Sequence, residues 1–238
     1  MKNRLSVGKK ARRHAGIALA IGSSLLHTGN SSAQIEDQKQ SSPYNIQVVL
    51  DGNSNCILRG ISISDKPVIQ PLLTVNRGAI TGSVLGVIDP NNRNANEVDV
   101  SIDYTRPLSG RINLSAGYTY TDFRDIKEKT QEAYAGISLN TKLNPNVYLY
   151  RDSDLVKGTY GETSVSRNFR RLETRLGLGY NHRYFREGTG ISHINASVNL
   201  PLQLSRKTRL TGKLNYVKAL NREFKDNTTY GIGVKRDL

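Results

Sequence analysis

The amino-acid sequence predicts an all-β fold: a transmembrane antiparallel up-and-down β-barrel of about twelve strands. Three observations predict it. Many segments of about ten residues alternate between apolar and polar side chains, and the connections between them are alternately short and long. No run of about 18 apolar residues exists, which excludes helical membrane spans. Because successive strand side chains point to opposite faces, each segment has one apolar and one polar face.

The clearest of these segments is a hairpin at residues 97–120. Val98, Val100 and Ile102 alternate with acidic and hydroxyl residues in its first arm, and Ile112 and Leu114 continue the pattern in the second. Each arm has about ten residues, the length that a tilted strand needs to cross a bilayer. A soluble sandwich would also alternate, so the prediction rests on repetition of the pattern along the chain.

Twelve strands are predicted in order after residue 44. They lie at residues 46–50, 67–75, 79–88, 97–105, 111–120, 132–140, 146–154, 159–167, 172–181, 194–200, 210–216 and 229–238. The third is apolar on both faces, so its orientation is open. The stretch 56–64, CILRGISIS, either extends the first strand or forms a loop.

The N-terminal region predicts export. A basic stretch ends at Arg13, an apolar run occupies 15–26, and small residues precede a predicted cleavage after Ala33. We therefore expect a signal peptide at 1–33, a disordered periplasmic lead-in at 34–43 and the barrel at 44–238.

The connections fall into two sets. Short ones are predicted at 76–78, 107–110, 142–145, 168–170 and 205–207, and mostly longer polar ones at 89–96, 122–130, 183–190 and 218–227. This segregation predicts an even strand number with both termini on the short-turn, periplasmic side. Tyrosines on the apolar parity near the long loops predict an interfacial girdle, unless they only reflect the β-propensity of tyrosine: Tyr118, Tyr120, Tyr180, Tyr216 and Tyr230.

Composition narrows the classes of function. The net charge is +14, of which the leader contributes six basic residues and no acid. The remaining charges are scattered singly, which argues against nucleic-acid binding, although they could bias a pore toward anions or bind lipopolysaccharide phosphates. The single cysteine, Cys56, forms no intramolecular disulfide and is interpreted as a packing residue.

Few residues suggest catalysis. His182 and His193 are the histidines left after the leader, and they flank a predicted loop. A lipid hydrolase around His182, with Ser192 across the loop, is one alternative, but the sequence does not test the geometry that it needs. We expect no enzyme activity, no cofactor and no metal site.

The polar parity of the strands carries charges of both signs, predicted to line the lumen: Glu97, Asp99, Asp103, Arg111, Glu132, Glu173, Arg175, Arg209, Lys213 and Lys235. Two interpretations remain open. The charges form salt-bridge ladders in a plugged barrel, or an acidic strip faces a basic strip across a narrow passage. We expect a mixture of both.

Two short motifs resemble a known family. The stretch 58–75, LRGISISDKPVIQPLLTV, contains an R-G-x-S motif followed by a polar stretch, a proline and a glutamine; its matching residues are Arg59, Gly60, Ile61, Ser62, Asp65, Pro67 and Gln70. Glu97 and Asp99 match an acidic E-x-D strand. On these residues the chain resembles the TorF-type porins, which implies an outer-membrane β-barrel with a transport role. The terminal Leu238 departs from the phenylalanine usual for outer-membrane assembly.

These observations predict a porin-like protein of the Gram-negative outer membrane that passes small hydrophilic solutes by passive diffusion. The expected partners are outer-membrane lipids, lipopolysaccharide, the barrel-assembly machinery and the solutes themselves, with no nucleic acid. The alternatives are a closed structural or adhesive surface barrel whose loops bind a ligand, and the lipid hydrolase described above.

Overall fold

The computed structural model describes residues 44–89, 96–124 and 127–238, so the predicted signal peptide, its cleavage after Ala33 and the lead-in at 34–43 lie outside the described residues. The described residues form fourteen strands, twelve in one closed barrel and two in a separate small sheet. They are β1 (Asn45–Asn53), β2 (Cys56–Leu58), β3 (Ile61–Ser64), β4 (Val68–Arg77), β5 (Ile80–Val87), β6 (Glu97–Pro107), β7 (Ile112–Phe123), β8 (Glu128–Leu139), β9 (Asn146–Asp152), β10 (Thr159–Phe169), β11 (Leu172–His182), β12 (Thr189–Gln203), β13 (Thr208–Ala219) and β14 (Asn227–Asp237).

The barrel is closed by its first strand. Neighbouring strands are antiparallel around the whole ring, and β1 pairs with β14 on one side and with β4 on the other. Leu50, for example, lies opposite both Val234 and Pro71. Because closure leaves no free strand edge, the backbone groups of the ring are paired as hydrocarbon requires. The predicted twelve-stranded antiparallel barrel is confirmed.

Side chains alternate between the outside and the inside of the barrel as predicted. In β6, Val100 and Ile102 are 50% and 56% exposed on the exterior, whereas Asp99 and Asp103 are buried inside. The other strands also place most of their large aliphatic residues outside, which gives the barrel an apolar exterior. Such a surface is too large to leave in water and is typical of a barrel that contacts lipid.

The two ends of the barrel carry different connections. At the short-turn rim, tight turns join the strands, and the N–H of Leu238 donates to the carbonyl of Ile46 near the chain ends. At the opposite, long-loop rim lie the connection from β1 to β4 and the segments 183–188 and 220–226, among others. Residues 90–95 and 125–126, parts of two predicted long loops, lie outside the described residues. The prediction of segregated connections agrees with this arrangement.

The connection between β1 and β4 folds into the barrel. Strands β2 and β3 form a hairpin, here called the inner hairpin (residues 56–64), that pairs with neither β1 nor β4. Its two-residue turn consists of Arg59 and Gly60, with φ angles of 48° and 81°, as in the primed turns that suit the twist of hairpins. The stretch 56–64 is therefore a loop element with its own strands and does not extend β1.

The inner hairpin explains why β5 is apolar on both faces. Ile80 and Val84 are exposed on the exterior, whereas Leu85 and Val87 point inward and are 1% exposed. The inward pair belongs to the same buried cluster as Leu58 of the hairpin. One face of β5 therefore meets the surroundings of the barrel, and the other packs against a segment inside it.

Candidate functional site: the barrel interior

The tip of the inner hairpin makes a buried ion pair with the opposite wall. Arg59 holds both carboxylate oxygens of Glu132 in β8, with 2.8 Å between Nη2 and Oε1 and 2.5 Å between Nη1 and Oε2. The side chains of Arg59 and Glu132 are 5% and 1% exposed. Two parallel hydrogen bonds of this kind are the strong form of a charge-assisted hydrogen bond. The attraction between the two charges is also stronger here because water is excluded.

Three tyrosine rings surround the same guanidinium. The Cζ atom of Arg59 lies 4.0 Å from the ring centroid of Tyr150, 4.7 Å from that of Tyr184 and 5.0 Å from that of Tyr160. The hydroxyl of Tyr184 donates to Glu132 Oε2 at 2.5 Å and accepts from Arg59 Nη1. We call Glu132, Tyr150, Tyr160 and Tyr184 the Arg59 cage. A desolvated cation over an aromatic face gains about 2 kcal/mol.

Strand pairing brings the cage together. Tyr150 of β9 is paired directly with Tyr160 of β10, and their ring centroids are 6.0 Å apart. On its other side Tyr150 is paired with Tyr134 of β8, two residues along the same face from Glu132. Tyr184 comes from the loop after β11. The cage thus lies on inward positions of three consecutive strands and one loop.

Gly60 allows the tip to approach the wall. A Cβ atom on this residue would lie 2.4 Å from Nδ1 of His193, and the φ of 81° disfavours other residues. His193 is fixed by Ser192, whose Oγ lies 2.9 Å from Nδ1, and is itself completely buried. The tip therefore contacts β12 as well as the Arg59 cage.

Substitution of Gly60 is expected to unseat the tip. Gly60→Val combines a clash at His193 with backbone strain, so the Arg59 cage should lose its occupant while the barrel remains closed. Cys56 is the only cysteine of the chain and is 4% exposed, so its maleimide labelling rate in detergent measures release of the hairpin. We expect faster labelling than in wild type, with Gly78→Val in an open turn as the matched positive-φ control. Equal rates for the two variants would contradict the proposed contact.

The base of the inner hairpin is an apolar core inside the barrel. Cys56, Leu58 and Ile63 of the hairpin are buried with inward-facing residues of the wall: Val68, Leu72, Leu85, Val87 and Phe123. Fully burying an aliphatic side chain contributes about 1.5–3 kcal/mol, so this core stabilises the seated hairpin. Burial, and next the charge of Glu97, raise the pKa of the Cys56 thiol, which agrees with a packing role.

The family-motif residues lie in and around this hairpin. Arg59 and Gly60 form its tip, and Ser62 bonds to the Asp65 carboxylate on its exposed side. Pro67 precedes β4, and Gln70 is buried in β4, where its Oε1 accepts from Asn53 Nδ2 at 2.6 Å. Ser62, Pro67 and Gln70 thus shape the entry and exit of the hairpin.

Three carboxylates on β6 are buried with incomplete partners. Both carboxylate oxygens of Glu97, Oδ2 of Asp99 and Oδ2 of Asp103 lack a hydrogen-bond partner among the described residues. The other oxygen of Asp99 accepts from Thr121 Oγ1 at 2.6 Å. Removing carboxylate oxygens from water without giving them a hydrogen-bond partner costs free energy. The three carboxylates therefore destabilise the position of the inner hairpin that covers them.

A cavity of about 700 Å³ occupies the short-turn half of the barrel. It is lined by five residues of the predicted lumen set: Asp103, Glu173, Arg209, Lys213 and Lys235. The cations among them are paired, with 2.6 Å between Lys213 Nζ and Asp51 Oδ2 and 3.6 Å between Arg209 Nη1 and Glu173 Oε1. We call this space the vestibule.

The remaining predicted lumen residues lie elsewhere. Glu97, Asp99 and Glu132 are inside the barrel but only 2% exposed, and Arg175 is paired with Glu162 away from the vestibule lining. Arg111 is exposed at the short-turn rim, because β7 begins at the next residue and Arg111 belongs to the turn.

The inner wall is acidic although the chain is basic. Among the described strands and the inner hairpin, five cations point inward: Arg59, Arg175, Arg209, Lys213 and Lys235. Ten carboxylates occupy inward positions with them: Asp51, Glu97, Asp99, Asp103, Glu128, Glu132, Asp152, Glu162, Glu173 and Asp237. The strands β6 and β13 lie five positions apart around one side of the ring and seven around the other, so Asp103 of β6 lies across the vestibule from Arg209 and Lys213 of β13. The basic surplus of the chain therefore does not predict an anion-favouring interior.

The residues of the hydrolase alternative do not come together. His182 is exposed, with Nδ1 3.0 Å from Thr189 Oγ1, whereas Ser192 is completely buried and contacts His193. A bulge between Gly179 and Tyr180 places the neighbours Ser192 and His193 both inside, which simple alternation does not predict. The described residues contain no group of three or more side chains suited to a metal ion, and none forms a helix that could span a membrane.

The closed antiparallel ring of twelve strands, with an apolar exterior and a charged interior, is an up-and-down β-barrel fold, and solved porins share this fold. The solved KdgM porin has 13% sequence identity and a TM-score of 0.56 to this chain, covering 81% of this chain and 99% of KdgM. The NanC porin has 13% sequence identity and a TM-score of 0.56, and the match covers 80% of this chain and 100% of NanC. The structure of KdgM in complex with disordered oligogalacturonate has 13% sequence identity and a TM-score of 0.53, and the match covers 82% of this chain and 99% of that one. No protein-family model and no curated protein sequence matches the chain.

Proposed function

We propose that this protein is an outer-membrane porin-like barrel that passes small hydrophilic solutes by passive diffusion, with the inner hairpin as its constriction. The observation that carries the proposal is a closed ring with an apolar exterior around a charged vestibule of about 700 Å³. Hydrocarbon outside and water inside is the physical division on which a porin depends. The predicted signal peptide and the porin-type fold support the outer-membrane location. Contacts with lipopolysaccharide and the assembly machinery, and a relation to the TorF-type porins, belong to the same proposal.

The path that we propose runs beside the hairpin tip along β12, β13 and β14. Inward-facing positions in the middle of these strands carry small or amide side chains that are half-buried, including Asn195, Asn215 and Gly231. Nearer the long-loop rim, His193 and Val217 are buried, so the path there follows β14. The facing wall is filled at the same end, where Thr121, Thr130 and Tyr160 are at most 1% exposed. Because the inner wall carries more carboxylates than cations, we expect neutral and cationic solutes to pass more readily than anions. The oligogalacturonate of the KdgM complex therefore does not identify the solute here.

Liposome swelling tests the proposal directly. The refolded protein, reconstituted with the same lipid as a protein-free control, should admit small sugars and exclude large oligosaccharides. Swelling rates equal to those of protein-free liposomes, for a barrel that shows heat-modifiable mobility on gels, would reject passive diffusion.

Ion selectivity should depend on the vestibule cations. Arg209 is 34% exposed in the vestibule, so Arg209→Glu should shift the reversal potential of planar-bilayer currents toward stronger cation preference. The matched control is Arg236→Glu, the same charge change at an exposed position of β14 on the outer face. An equal shift in both variants would indicate a surface-charge effect and not a vestibule lined by Arg209.

A closed surface barrel is the second candidate, favoured by the packing near the long-loop rim. Tyr160, Tyr184 and His193 are at most 1% exposed there, and Phe224 of the loop after β13 packs with its ring centroid 6.0 Å from that of His193. In this function the loops bind a partner and the vestibule has no exit. The swelling assay distinguishes the two candidates, because a closed barrel admits no sugar.

A further inference from the structure

The Arg59 cage has the composition of a binding site for an organic cation. A buried carboxylate provides two acceptors in the plane of a guanidinium, and three tyrosine rings provide faces and a hydroxyl around it. Aromatic surfaces that enclose a cation beside a carboxylate are how proteins recognise guanidinium and alkylammonium ligands. Here the ligand is a side chain of the same protein, carried on a turn that belongs to a separate sheet.

We propose that the Arg59 cage is a recognition site for guanidinium-bearing solutes, that Arg59 occupies it as a tethered ligand, and that a free guanidinium cation competes for it and unseats the inner hairpin. The inference adds a ligand class and a gate to the barrel. It does not depend on the proposed diffusion function, because occupancy of the cage can be measured without transport.

Some contacts stabilise the inner hairpin in its position inside the barrel, the seated form, and others destabilise it there. Its apolar base and the ion pair of Arg59 favour the seated form, whereas the unpartnered carboxylate oxygens of Glu97 and Asp99 favour hydration. Arg59 also has a φ of 48°, a conformation that residues other than glycine adopt less readily. Because these effects oppose each other, a ligand that replaces the contact between Arg59 and the cage should shift the hairpin from the seated to the released form.

Guanidinium is the expected competitor because of shape and charge together. Glu132 meets two nitrogens of the guanidinium at once, a fork that a simple ammonium does not provide. The surplus of carboxylates on the inner wall also attracts a cation into the barrel. A ligand on a short tether has an effective concentration on the order of millimolar, so competition should require free cation in or above that range.

The first experiment measures release of the hairpin in the wild-type protein. The labelling rate of Cys56 by a maleimide is followed in detergent while ethylguanidinium is added. We expect a saturable acceleration of several-fold with ethylguanidinium. Two controls should give no acceleration at equal concentrations. Ethylammonium carries the charge but lacks the fork, and urea is the neutral isostere of the guanidinium group. A similar acceleration by urea would mean general loosening of the fold and would overturn the proposal.

The second experiment measures the site directly. In Arg59→Ala the tethered ligand is gone, so calorimetry should detect saturable binding of ethylguanidinium at millimolar concentrations, and Cys56 labelling should be fast and insensitive to it. The double variant Arg59→Ala/Glu132→Gln, which keeps the tyrosines, should bind at least several-fold more weakly. Arg59→Gln replaces Arg59→Ala if the latter does not refold. Equal binding in the single and double variants, or none in either, would show that the cage is not a guanidinium site.

Discussion

Replacing residues 54–67 by an Asn-Gly turn is expected to convert the protein into a wide-open pore. Asn53 and Val68 are cross-strand partners, so a two-residue primed turn can join β1 to β4 without changing the ring. The excision removes the Arg59 tip and its base and lets water reach Glu97 and Asp99. We expect the single-channel conductance to rise several-fold, measured in planar bilayers against wild type.

The same excision exposes apolar wall residues to water, so a second variant is needed. Leu72→Thr and Leu85→Thr, added to the excision, give the exposed wall smaller, polar side chains and should restore any lost yield of folded barrel. Heat-modifiable mobility on gels verifies folding in both variants. If either one folds and conducts as wild type does, the inner hairpin is not the constriction.

Glu132→Ala is expected to release the hairpin tip from the wall. Removing one partner of a buried ion pair leaves the other charge without compensation and costs about 3–5 kcal/mol. The Arg59 side chain, which is 5% exposed, would then lie among tyrosines with no carboxylate partner. It can avoid the cost of an unpaired buried charge by leaving the cage. We expect Cys56 to be labelled at least about tenfold faster than in wild type, since about 1.4 kcal/mol already changes an equilibrium tenfold.

Glu173→Ala is the matched control for this prediction. Glu173 is also an inward carboxylate paired with an arginine, but it is 26% exposed and 3.6 Å from Arg209. Pairs of this kind contribute about 0–1 kcal/mol, so Cys56 labelling should change little. Equal acceleration in Glu132→Ala and Glu173→Ala would show that the Arg59 pair does not hold the hairpin.

The inner hairpin left signals in the sequence that local patterns did not resolve. Leu85 and Val87 make β5 apolar on its inward face, and Tyr134, Tyr150 and Tyr160 fall on the inward parity of neighbouring strands. Both facts indicate that part of the interior is packed with side chains and is not filled with water. The Arg-Gly dipeptide of the turn carries a family resemblance, but by itself it does not predict a position inside the barrel. Its partner Glu132 is 73 residues away, which is why spacing alone could not connect them.

The sequence by itself determined the number of barrel strands, the outward face of the strands that alternate clearly, and the division between short turns and longer loops; for β5, which is apolar on both faces, it left the outward face open. These features follow from a two-residue period and from turn residues, which are local. The tertiary structure decided what fills the interior, where Arg59 crosses the barrel to the Arg59 cage and buried carboxylates differ from those that reach the vestibule. Alternation separates inside from outside but says nothing about depth along a strand or about which segment returns into the ring. Those depend on side chains distant in sequence that meet only when the barrel closes.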